Sequence, residues 1–544
     1  MQLCSHCNRK PPPVPAQGPG QRRPDPIIWH HMSAPAANGR VLIASNRGPL
    51  SFTAGTGGRL SARRGGGGLV SGLLSVAAER DVLWVCAALS DADRAAARRA
   101  PDGQLGLDGT PGGAGVRLLD IPPDTFGAAY NKVANSVLWF VQHLLYSTPH
   151  EPQFGAAFQR DWDEFRRYNA AFAAALATAP GADRAVVQDY HLSLVPRMLA
   201  ERRPGIRIAH FTHTPWAPPE YFRILPDAVG REVLEGMLGA DHAGFLSLRW
   251  ADAFLACCQE ILGAAVDRTA RQVRYRGHLT TVGVHPLGVD AAELTGRAAQ
   301  PDVQDRAAAL AGATRGARLI VRVDRAELSK NIIRGLAAFR ELLVTRPQWR
   351  GKVTHVAFAY PSRTEMPEYR AYTEDIQRLA AVINEEFGTQ DWQPVVLEVF
   401  DDFARSLAAY LLADVLLVNP IRDGMNLVAK EGPLLSERGC ALVLSREAGA
   451  VAELGENALV VNPFDITQTA RALHEALSMP DAERRRRAAL LADEAAAHPP
   501  QEWFADQIRA LDATMERASG PASSAARQPR RAHRRRGLLR RPAH

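Results

Sequence analysis

Short apolar runs alternate with longer amphipathic stretches along most of the chain. Many of these runs are apolar at every position rather than at every second one, which is typical of strands covered on both faces of a parallel sheet. The alternation of strands and helices in both halves predicts two doubly wound α/β domains. The predicted strands are Val41–Ser45, Val82–Cys86, Ala185–Gln188, Ile206–Thr212 and Ala243–Leu246 in the first half, and Leu319–Val323, Val353–Ala359, Val395–Phe400, Val415–Asn419, Ala441–Leu444 and Ala458–Val461 in the second.

The pattern also predicts where the domains begin and end. Helical patterning fails near Leu287–Pro301, so the first domain is predicted over residues 40–290 and the second over 291–480. The segment Ala482–Met515 is helical, and residues 481–516 are expected to pack back toward the first domain. Two such domains leave a cleft at the carboxyl ends of their strands, where ligands of this class of fold bind.

Composition adds limits on partners and location. The chain has 544 residues, of which 46% are hydrophobic and 23% charged, and its formal net charge is +7. Nine arginines lie in residues 517–544 without an acidic residue, so the charge belongs to a tail rather than to a nucleic-acid-binding face. Residues 1–39 and 517–544 lack the apolar content to fold and are predicted to be disordered. No apolar run is long enough for a membrane span, and no secretory stretch is evident, so we expect a cytoplasmic protein with no nucleic-acid or membrane partner.

The chain offers few candidate metal ligands. Cys4 and Cys7 form a lone C-x-x-C pair, whereas a structural zinc site needs four ligands. Asp91 and Asp93 form a D-x-D pair between a predicted strand and a predicted helix, where a helix cap is the better interpretation. We therefore predict neither a metal nor a cofactor.

The most specific motif runs from Asn419 to Glu431, with the sequence NPIRDGMNLVAKE. A buried strand is predicted to end at Asn419, a turn to hold Asp423 and Gly424, and a helix to open near Met425. The free N–H groups at such a helix start can bind a diphosphate or sugar hydroxyl. Asp423 can accept hydrogen bonds from sugar hydroxyls, and Glu431 can bond a ribose diol.

The string from Arg422 to Glu431 resembles the donor-site signature of the trehalose-phosphate synthases, and the resemblance extends over roughly 40–515. It implies a retaining glucosyltransferase of the GT-B fold, with two Rossmann-like domains facing across a cleft. It also implies transfer of glucose from a nucleoside-diphosphate glucose to glucose 6-phosphate, giving α,α-trehalose 6-phosphate. The first domain would bind the acceptor and the second the nucleotide sugar. The donor-binding residues that the resemblance implies are Gly68, Arg325, Lys330, Asp423, Gly424, Met425, Asn426, Leu427, Val428 and Glu431.

Other motifs match the acceptor side of the same family. Arg47 follows the first predicted strand and Arg363 follows a strand of the second domain, and arginine suits bidentate recognition of phosphate. The resemblance implies that both hold the acceptor phosphate, that Tyr130 bonds the same phosphate and that Trp139 packs on the sugar. It further assigns Asp189 to the acceptor hydroxyls.

His213 follows the next predicted strand along the chain and matches a histidine that would bind the donor glucose at its 6-hydroxyl. His191 lies close by in sequence, with a less defined role. The glycine run Gly65–Gly68, before a helical pattern at Leu69–Ala78, is interpreted as a phosphate loop. Together with Asp189 and His213, the pair Arg325 and Lys330 is predicted to be catalytic.

Arg325 and Lys330 can clamp the leaving diphosphate as its charge develops. The family pattern here is Arg-Leu-Asp-Tyr-(Ser/Thr)-Lys-Gly. This chain keeps the arginine and lysine, but four other positions of the pattern differ. The residues that differ are Ala326, Glu327, Leu328 and Asn331. The nucleobase of the donor therefore stays open between GDP-glucose and UDP-glucose.

Two alternatives remain at this stage. One is a relative with another acceptor, such as a cyclitol-coupling pseudo-glycosyltransferase, since those also show Lys-Asn after the clamp arginine. The other is an inactive sugar-phosphate sensor. The intact Arg-Asp-Gly-Met-Asn string favours the synthase over the first, and intact Arg325, Lys330, Asp423 and Glu431 favour an enzyme over the second. A homo-oligomer is left open.

Overall fold

The computed structural model describes residues 39–55, 59–64, 81–100, 104–106 and 115–519, without the side chains of residues 64 and 515–519. Its strands, in chain order, are β1 (Arg40–Ser45), β2 (Leu50–Ala54), β3 (Leu60–Arg64), β4 (Val82–Ala87), β5 (Gln104–Gly106), β6 (Gly115–Leu119), β7 (Ala182–Gln188), β8 (Arg207–Thr212), β9 (His242–Phe245), β10 (Ala265–Asp267), β11 (Gln272–Tyr275), β12 (His278–Val284), β13 (Arg318–Arg325), β14 (Val353–Tyr360), β15 (Val395–Glu398), β16 (Val415–Val418), β17 (Ala441–Ser445) and β18 (Leu459–Val461).

The helices of the described residues connect these strands or follow the last one. They are Asp91–Arg99, Pro123–Gly127, a π-helix at Ala128–Leu138, Trp139–His143, Ala156–Ala177, Val195–Arg202, Pro219–Phe222, Asp227–Met237, Leu248–Leu262, Ala291–Ala298, Pro301–Ala313, Ile332–Thr345, Pro367–Phe387, Phe403–Leu412, Val428–Leu435, Val451–Leu454, Ile466–Ser478, Asp481–Ala496 and Pro500–Ser519, with short 3₁₀ turns at Tyr190–Leu192, Leu328–Lys330 and Pro347–Trp349. Within the ranges described above, no helix is both long enough and apolar enough to cross a membrane.

Two large sheets organise the molecule. The first has ten strands in the order β10-β11-β12-β9-β8-β7-β1-β4-β6-β5, and the second has six in the order β15-β14-β13-β16-β17-β18. The second sheet is parallel throughout, as the continuous apolar runs predict. The first is parallel from β12 to β6 but carries antiparallel strands at both edges, β10 and β11 on one side and β5 on the other.

All eleven predicted strands are present, with ends that differ by up to three residues. The largest difference at a start is β7, which begins at Ala182 rather than at Ala185. The apolar runs did not predict β2, β3, β5, β6 and β10 to β12. Most of these strands are short or partly exposed and bury too few side chains to leave a continuous apolar run, and Arg117 interrupts the run of β6.

The segment Leu287–Pro301, where helical patterning fails in the sequence, nevertheless contains a helix. A helix occupies Ala291–Ala298, and the Asp290 side chain caps it by accepting a hydrogen bond from the backbone N–H of Glu293. Only Ala298 of this helix is buried, so the sequence carries no apolar stripe for the period to reveal. The segment predicted as helical over Ala482–Met515 is two helices, Asp481–Ala496 and Pro500–Ser519.

The last helix lies on the first sheet. It contacts β8 and β9, and its Trp503 is buried with its ring edge-on to Phe211 of β8, at 4.9 Å between centroids. Two residues further along, the chain leaves β8 for the loop that holds His213. The C-terminal helix therefore supports the strand ends at the cleft.

We expect the structure to lose stability as the pH falls from 7 to 5, and His355 to account for part of the loss. This imidazole is fully buried, neither ring nitrogen has a hydrogen-bond partner among the described residues, and burial lowers its pKa to about 3. The unfolded chain takes up a proton at this histidine near pH 6.5, whereas the folded chain does not. His355 therefore leaves the free energy of unfolding unchanged above pH 6.5 and lowers it below that pH, by about 2 kcal/mol at pH 5 for one such group.

Melting temperatures at pH 7 and pH 5 test this. His355→Leu should show a smaller decrease between the two pH values than the unmodified chain, while His150→Leu at an exposed position should not change the decrease. An unaltered pH dependence in His355→Leu would contradict the assignment.

Candidate functional site

A cavity of about 620 Å³ lies where the carboxyl ends of the two sheets face each other. The first sheet contributes the residues that follow β1, β7 and β8 together with the helical segment around Tyr130, and the second contributes those that follow β13 and β14. The lining residues are Ser45, Asn46, Arg47, Tyr130, Asn131, Trp139, Gln188, Asp189, Tyr190, His191, His213, Arg325, Pro361, Ser362, Arg363, Thr364 and Glu365. The structure thus brings together Arg47, Arg363, Tyr130, Trp139, Asp189, His213 and Arg325, which the sequence analysis singled out.

The two arginines assigned to phosphate reach the cavity from opposite sheets. Arg47 follows β1 and is exposed, while Arg363 follows β14 in a left-handed backbone conformation with φ +48°. The Arg363 guanidinium lies over the Trp139 ring, 4.1 Å from its centroid, and donates a hydrogen bond to the hydroxyl of Tyr369. Trp139 therefore holds a cation on its ring face, where the resemblance suggested a sugar.

Tyr130 and Asn131 are placed by a π-helix. The wider turn spans Ala128–Leu138 inside an otherwise α-helical stretch, and π-turns are frequent at functional sites. It brings the Tyr130 ring into a stack with His191, at 5.4 Å and 14° between the ring planes. The spacing from Tyr130 to Trp139 indicated this segment in the sequence, but the change from an α-helix to a π-helix could not be predicted from it.

The ends of β7 and β8 hold a group of hydrogen-bonded polar side chains. The Asp189 carboxylate accepts from the backbone N–H of His213 at 3.1 Å, and Nδ1 of His191 lies 3.7 Å from its other oxygen. The Nε2 of His213 pairs with Oε1 of Gln188 at 2.9 Å, and Gln188 in turn donates to Gln507 of the C-terminal helix. Neither Gln188 nor Gln507 is recognisable from the sequence as a support of His213.

Burial sets the charge state of these groups. It lowers the pKa of His213 and that of His191 to about 4, in the second case against the opposing effect of the Asp189 carboxylate. Both imidazoles are therefore neutral at pH 7. Because the Gln188 oxygen accepts, His213 donates through Nε2, and the same donor capacity suits a hydroxyl oxygen.

Beyond this cavity, the loop from Asn419 to Leu427 carries the second group of predicted residues and is named the donor loop after the role that the sequence predicts for it. Lys330, on the 3₁₀ turn after β13, donates to the Asp423 carboxylate at 2.6 Å, and the Asn426 amide donates to the same oxygen at 3.1 Å. Burial lowers the pKa of Lys330, but the Asp423 and Asp324 carboxylates outweigh it and the net shift is upward. Asp423 thus holds the lysine as well as being available to a sugar.

The helix predicted to open near Met425 begins instead at Val428, with Leu427 before its first turn. Met425 and Asn426 are buried in the preceding loop, where Asn426 takes φ +78°. The left-handed residue delays the helix by three positions, because Asn tolerates that conformation and a helix cannot continue through it. Glu431 accepts a hydrogen bond from Tyr410 at 3.1 Å, and burial raises its pKa.

The loop is docked against the first sheet through Gly424. A Cβ atom at this position would lie 1.9 Å from the His213 carbonyl oxygen, and the Gly424 carbonyl accepts from the Trp250 indole at 2.8 Å. Arg422 donates to the carbonyl of Trp216 at 2.9 Å. The donor loop and the His213 loop are therefore in direct contact.

Two predictions stand apart from this site. Gly68, with its glycine run and the predicted helix at Leu69–Ala78, lies outside the described residues. Asp91 and Asp93 begin the helix Asp91–Arg99, where Asp93 and Ser90 form a reciprocal cap and Asp91 is exposed.

Comparison with known proteins gives one family. A model of glycosyltransferase family 20 matches residues 39–513. The α,α-trehalose-phosphate synthase [UDP-forming] 2 of Aspergillus fumigatus is 35% identical over 465 residues, which cover 82% of this chain and 92% of that protein. A probable α,α-trehalose-phosphate synthase [UDP-forming] 2 of Arabidopsis thaliana is 33% identical, and the match covers 87% of this chain but 57% of the plant protein.

Solved structures agree with the sequence relatives. The structure described as "Trehalose-6-phosphate from E. coli bound with UDP-2-fluoro glucose" is 28% identical, with a TM-score of 0.75, and the match covers 87% of this chain and 98% of that one. A UDP-forming α,α-trehalose-phosphate synthase from Burkholderia xenovorans in complex with glucose-6-phosphate is 26% identical, with a TM-score of 0.74, and the match covers 87% of this chain and 100% of that one. The predicted two-domain α/β fold of the GT-B type is confirmed by these matches.

We expect Gly424→Ala to lower turnover by on the order of 10²-fold, because the donor loop must move away from the His213 carbonyl and small displacements at a reacting centre cost about that much. Initial rates with saturating substrates measure the effect, and the melting temperature separates it from unfolding. Gly296→Ala is the matched control, since its Cβ meets nothing within 4 Å and it lies within a helix. A Gly424→Ala variant with normal turnover would contradict the close docking of the two loops.

Proposed function

The chain belongs to glycosyltransferase family 20, and on that premise we propose that it transfers glucose from a nucleoside-diphosphate glucose to glucose 6-phosphate, with retention, to give α,α-trehalose 6-phosphate. Family membership confirms the predicted enzyme class, a hexosyltransferase. The observation that carries the proposal is the placement of Arg47 and Arg363 on opposite walls of one cavity, with Arg325 on the same wall as Arg363. Separate cationic groups for an acceptor phosphate and a donor diphosphate are what this reaction requires.

The part of the cavity that would bind the acceptor, called the acceptor pole, is formed by the first sheet together with Arg363. Arg47, Tyr130 and Arg363 surround the position for the acceptor phosphate, and Asp189 is available to its hydroxyls. Around this pole, the His191 Nε2 and the Trp139 indole N–H are buried without a hydrogen-bond partner in the described part of the chain. Buried polar atoms of this kind are rare in folded proteins, and a bound polar ligand would satisfy them.

The part of the site that would bind the nucleotide sugar, called the donor pole, is formed by the second sheet and the loop after β16. Arg325 and Lys330 face the leaving diphosphate, His213 donates to the glucose, and Asp423 through Val428 with Glu431 hold the glucose and ribose. We propose that the two sheets mark the domains 40–290 and 291–480 and that the substrates meet between them. The names of the relatives support UDP-glucose as the donor, and GDP-glucose is the competitor to test beside it.

Chemistry at this site amounts to positioning and electrostatic stabilisation. The acceptor hydroxyl attacks the anomeric carbon from the face that the diphosphate leaves, the bond from that carbon to the phosphate oxygen breaks, and the hydroxyl proton passes to the departing phosphate. Arg325 and Lys330 stabilise the negative charge that develops on it.

Turnover with each donor tests the proposal directly. The purified chain should release UDP or GDP and form trehalose 6-phosphate with an α,α linkage, read by nuclear magnetic resonance of the product. A chain that uses a non-phosphorylated cyclitol better than glucose 6-phosphate would instead be the cyclitol-coupling relative, and a chain without turnover would be a sensor.

Removal of Arg325 or Lys330, the pair proposed to clamp the donor diphosphate, should slow the reaction. Lys330→Ala and Arg325→Ala are each expected to lower kcat by roughly 10²-fold or more, as for other removed charge-stabilising groups. Lys352→Ala, at an exposed position before β14, is the matched control and should leave kcat unchanged. Near-normal kcat in a folded Lys330→Ala or Arg325→Ala variant would remove that residue from the clamp.

Selectivity for the acceptor phosphate should depend on Arg363. Glucose 6-phosphate is expected to exceed glucose by about 10³-fold or more in kcat/KM, the equivalent of two or three charge-assisted hydrogen bonds. Arg363→Ala should remove most of this preference without a comparable change in donor hydrolysis in the absence of acceptor. Arg378→Ala, exposed on the helix Pro367–Phe387, is the control. Equal preference in both variants would contradict the assignment.

A further inference from the structure

Glu327 is a buried carboxylate at the centre of the cationic groups of the site. It lies two residues after the end of β13, and its side chain has no solvent exposure. Its Oε1 forms an ion pair with Nη1 of Arg325 at 3.0 Å and accepts a hydrogen bond from the hydroxyl of Ser362 at 2.9 Å. One carboxylate oxygen thus joins a residue of the donor clamp to the loop after β14.

The Glu327 carboxylate is ionised, and only one of its two oxygens has a partner among the described residues. Burial alone would raise its pKa, but the cations Arg325, Arg363 and Lys330 and the Ser362 hydroxyl outweigh burial and hold the pKa at about 2. The second oxygen, Oε2, is buried without a hydrogen-bond partner among the described residues. A buried charge with an unpaired oxygen costs stability, so its presence next to the cations of the site calls for an explanation.

Glu327 is not needed to hold the two strand ends together. The backbone N–H of Ala326 already donates to the carbonyl of Tyr360 at 2.6 Å, and β13 and β14 pair along their whole length. What the carboxylate adds is a fixed direction for the Arg325 guanidinium, which is half exposed, and for Ser362, which precedes Arg363.

We propose that Glu327 is a positioning residue that aims Arg325 at the donor diphosphate and, through Ser362, holds the Arg363 loop at the acceptor phosphate. This inference rests on the proposed function. Because the carboxylate is negative, it also opposes the binding of the anionic diphosphate before reaction. Its loss should therefore leave nucleotide affinity intact or improve it while turnover falls, a combination that a merely structural residue does not produce.

The test compares Glu327→Gln, which removes the charge at constant shape, with Glu327→Asp, which keeps the charge. Titration calorimetry with UDP and with GDP gives the dissociation constants, and initial rates give kcat. We expect kcat of Glu327→Gln to fall by about 10- to 100-fold while the dissociation constant of the better nucleotide stays the same or falls by about 3-fold. Glu327→Asp should recover at least part of the lost kcat, and Glu385→Gln, exposed on the helix Pro367–Phe387, should match the unmodified chain.

Three results would overturn the inference. They are normal kcat in Glu327→Gln, nucleotide binding that weakens in step with kcat, and a Glu327→Asp variant no better than Glu327→Gln. A failure of the proposed function is distinguishable, since it would show as an unmodified chain that makes no trehalose 6-phosphate, whereas the nucleotide affinities still measure the effect of Glu327.

A second variant covers the case in which Glu327→Gln does not fold. Ser362→Ala removes one donor to Oε1 and leaves the carboxylate and Arg325 in place. We expect it to raise KM for glucose 6-phosphate by about 3- to 10-fold with nucleotide binding unchanged, the equivalent of one lost hydrogen bond in the support of Arg363. An unchanged KM would overturn the link from Glu327 to the acceptor loop.

Discussion

The site depends first on how the protein holds several positive charges close together in one cleft. Without a bound anion, each cation that the reaction needs must be held by the protein itself, since like charges in a partly buried space repel strongly. Lys330 is held by Asp423, Arg325 by Glu327, and Arg363 by the rings of Trp139 and Tyr369. In the proposed reaction, the phosphate groups of the substrates would replace or share these partners, which already hold the cations in place.

Backbone conformation fixes this geometry as much as charge does. Eight residues other than glycine have positive φ in the described chain, and four of them, Asp189, Asn331, Arg363 and Asn426, lie at the site. Such residues persist only where the surroundings determine them, and they are concentrated at functional sites. Each turns the chain sharply just after a strand or before a helix, so that a polar side chain is directed across the strand end.

Asn331 explains one departure from the family pattern. The pattern has glycine at this position, and the backbone here takes φ +59°, which glycine and asparagine both adopt at low cost. The asparagine side chain also donates to the carbonyls of Asn419 and Pro463, at 2.9 and 2.8 Å. The substitution keeps the turn after Lys330 and ties it to the donor loop.

The sequence predicted the parts of this site that depend on local order. Continuous apolar runs located the central strands. The polar residues at or just beyond their ends, such as Asp189, Arg325 and Arg363, meet because parallel strands end at the same edge of each sheet and these two edges face each other. The pattern could not reveal the π-helix that places Tyr130, since no residue type requires that pitch. Nor could it reveal the support of His213 by Gln188 and Gln507, a contact across 319 residues of sequence.

The two connections between the sheets explain how the C-terminal helix comes to support the strand ends of the first sheet. The chain passes from β12 to the second sheet through Gly288 and returns through His498, and these two crossings bond to each other, with the Gly288 N–H donating to the His498 carbonyl at 2.6 Å. A Cβ at Gly288 would lie 2.5 Å from that oxygen, so only glycine allows the approach. This contact fixes where the C-terminal helix Pro500–Ser519 begins. Because Trp503 lies in the first turns of that helix and packs against His213, with 5.5 Å between the ring centroids, the crossing at Gly288 and the position of His213 are linked through one helix.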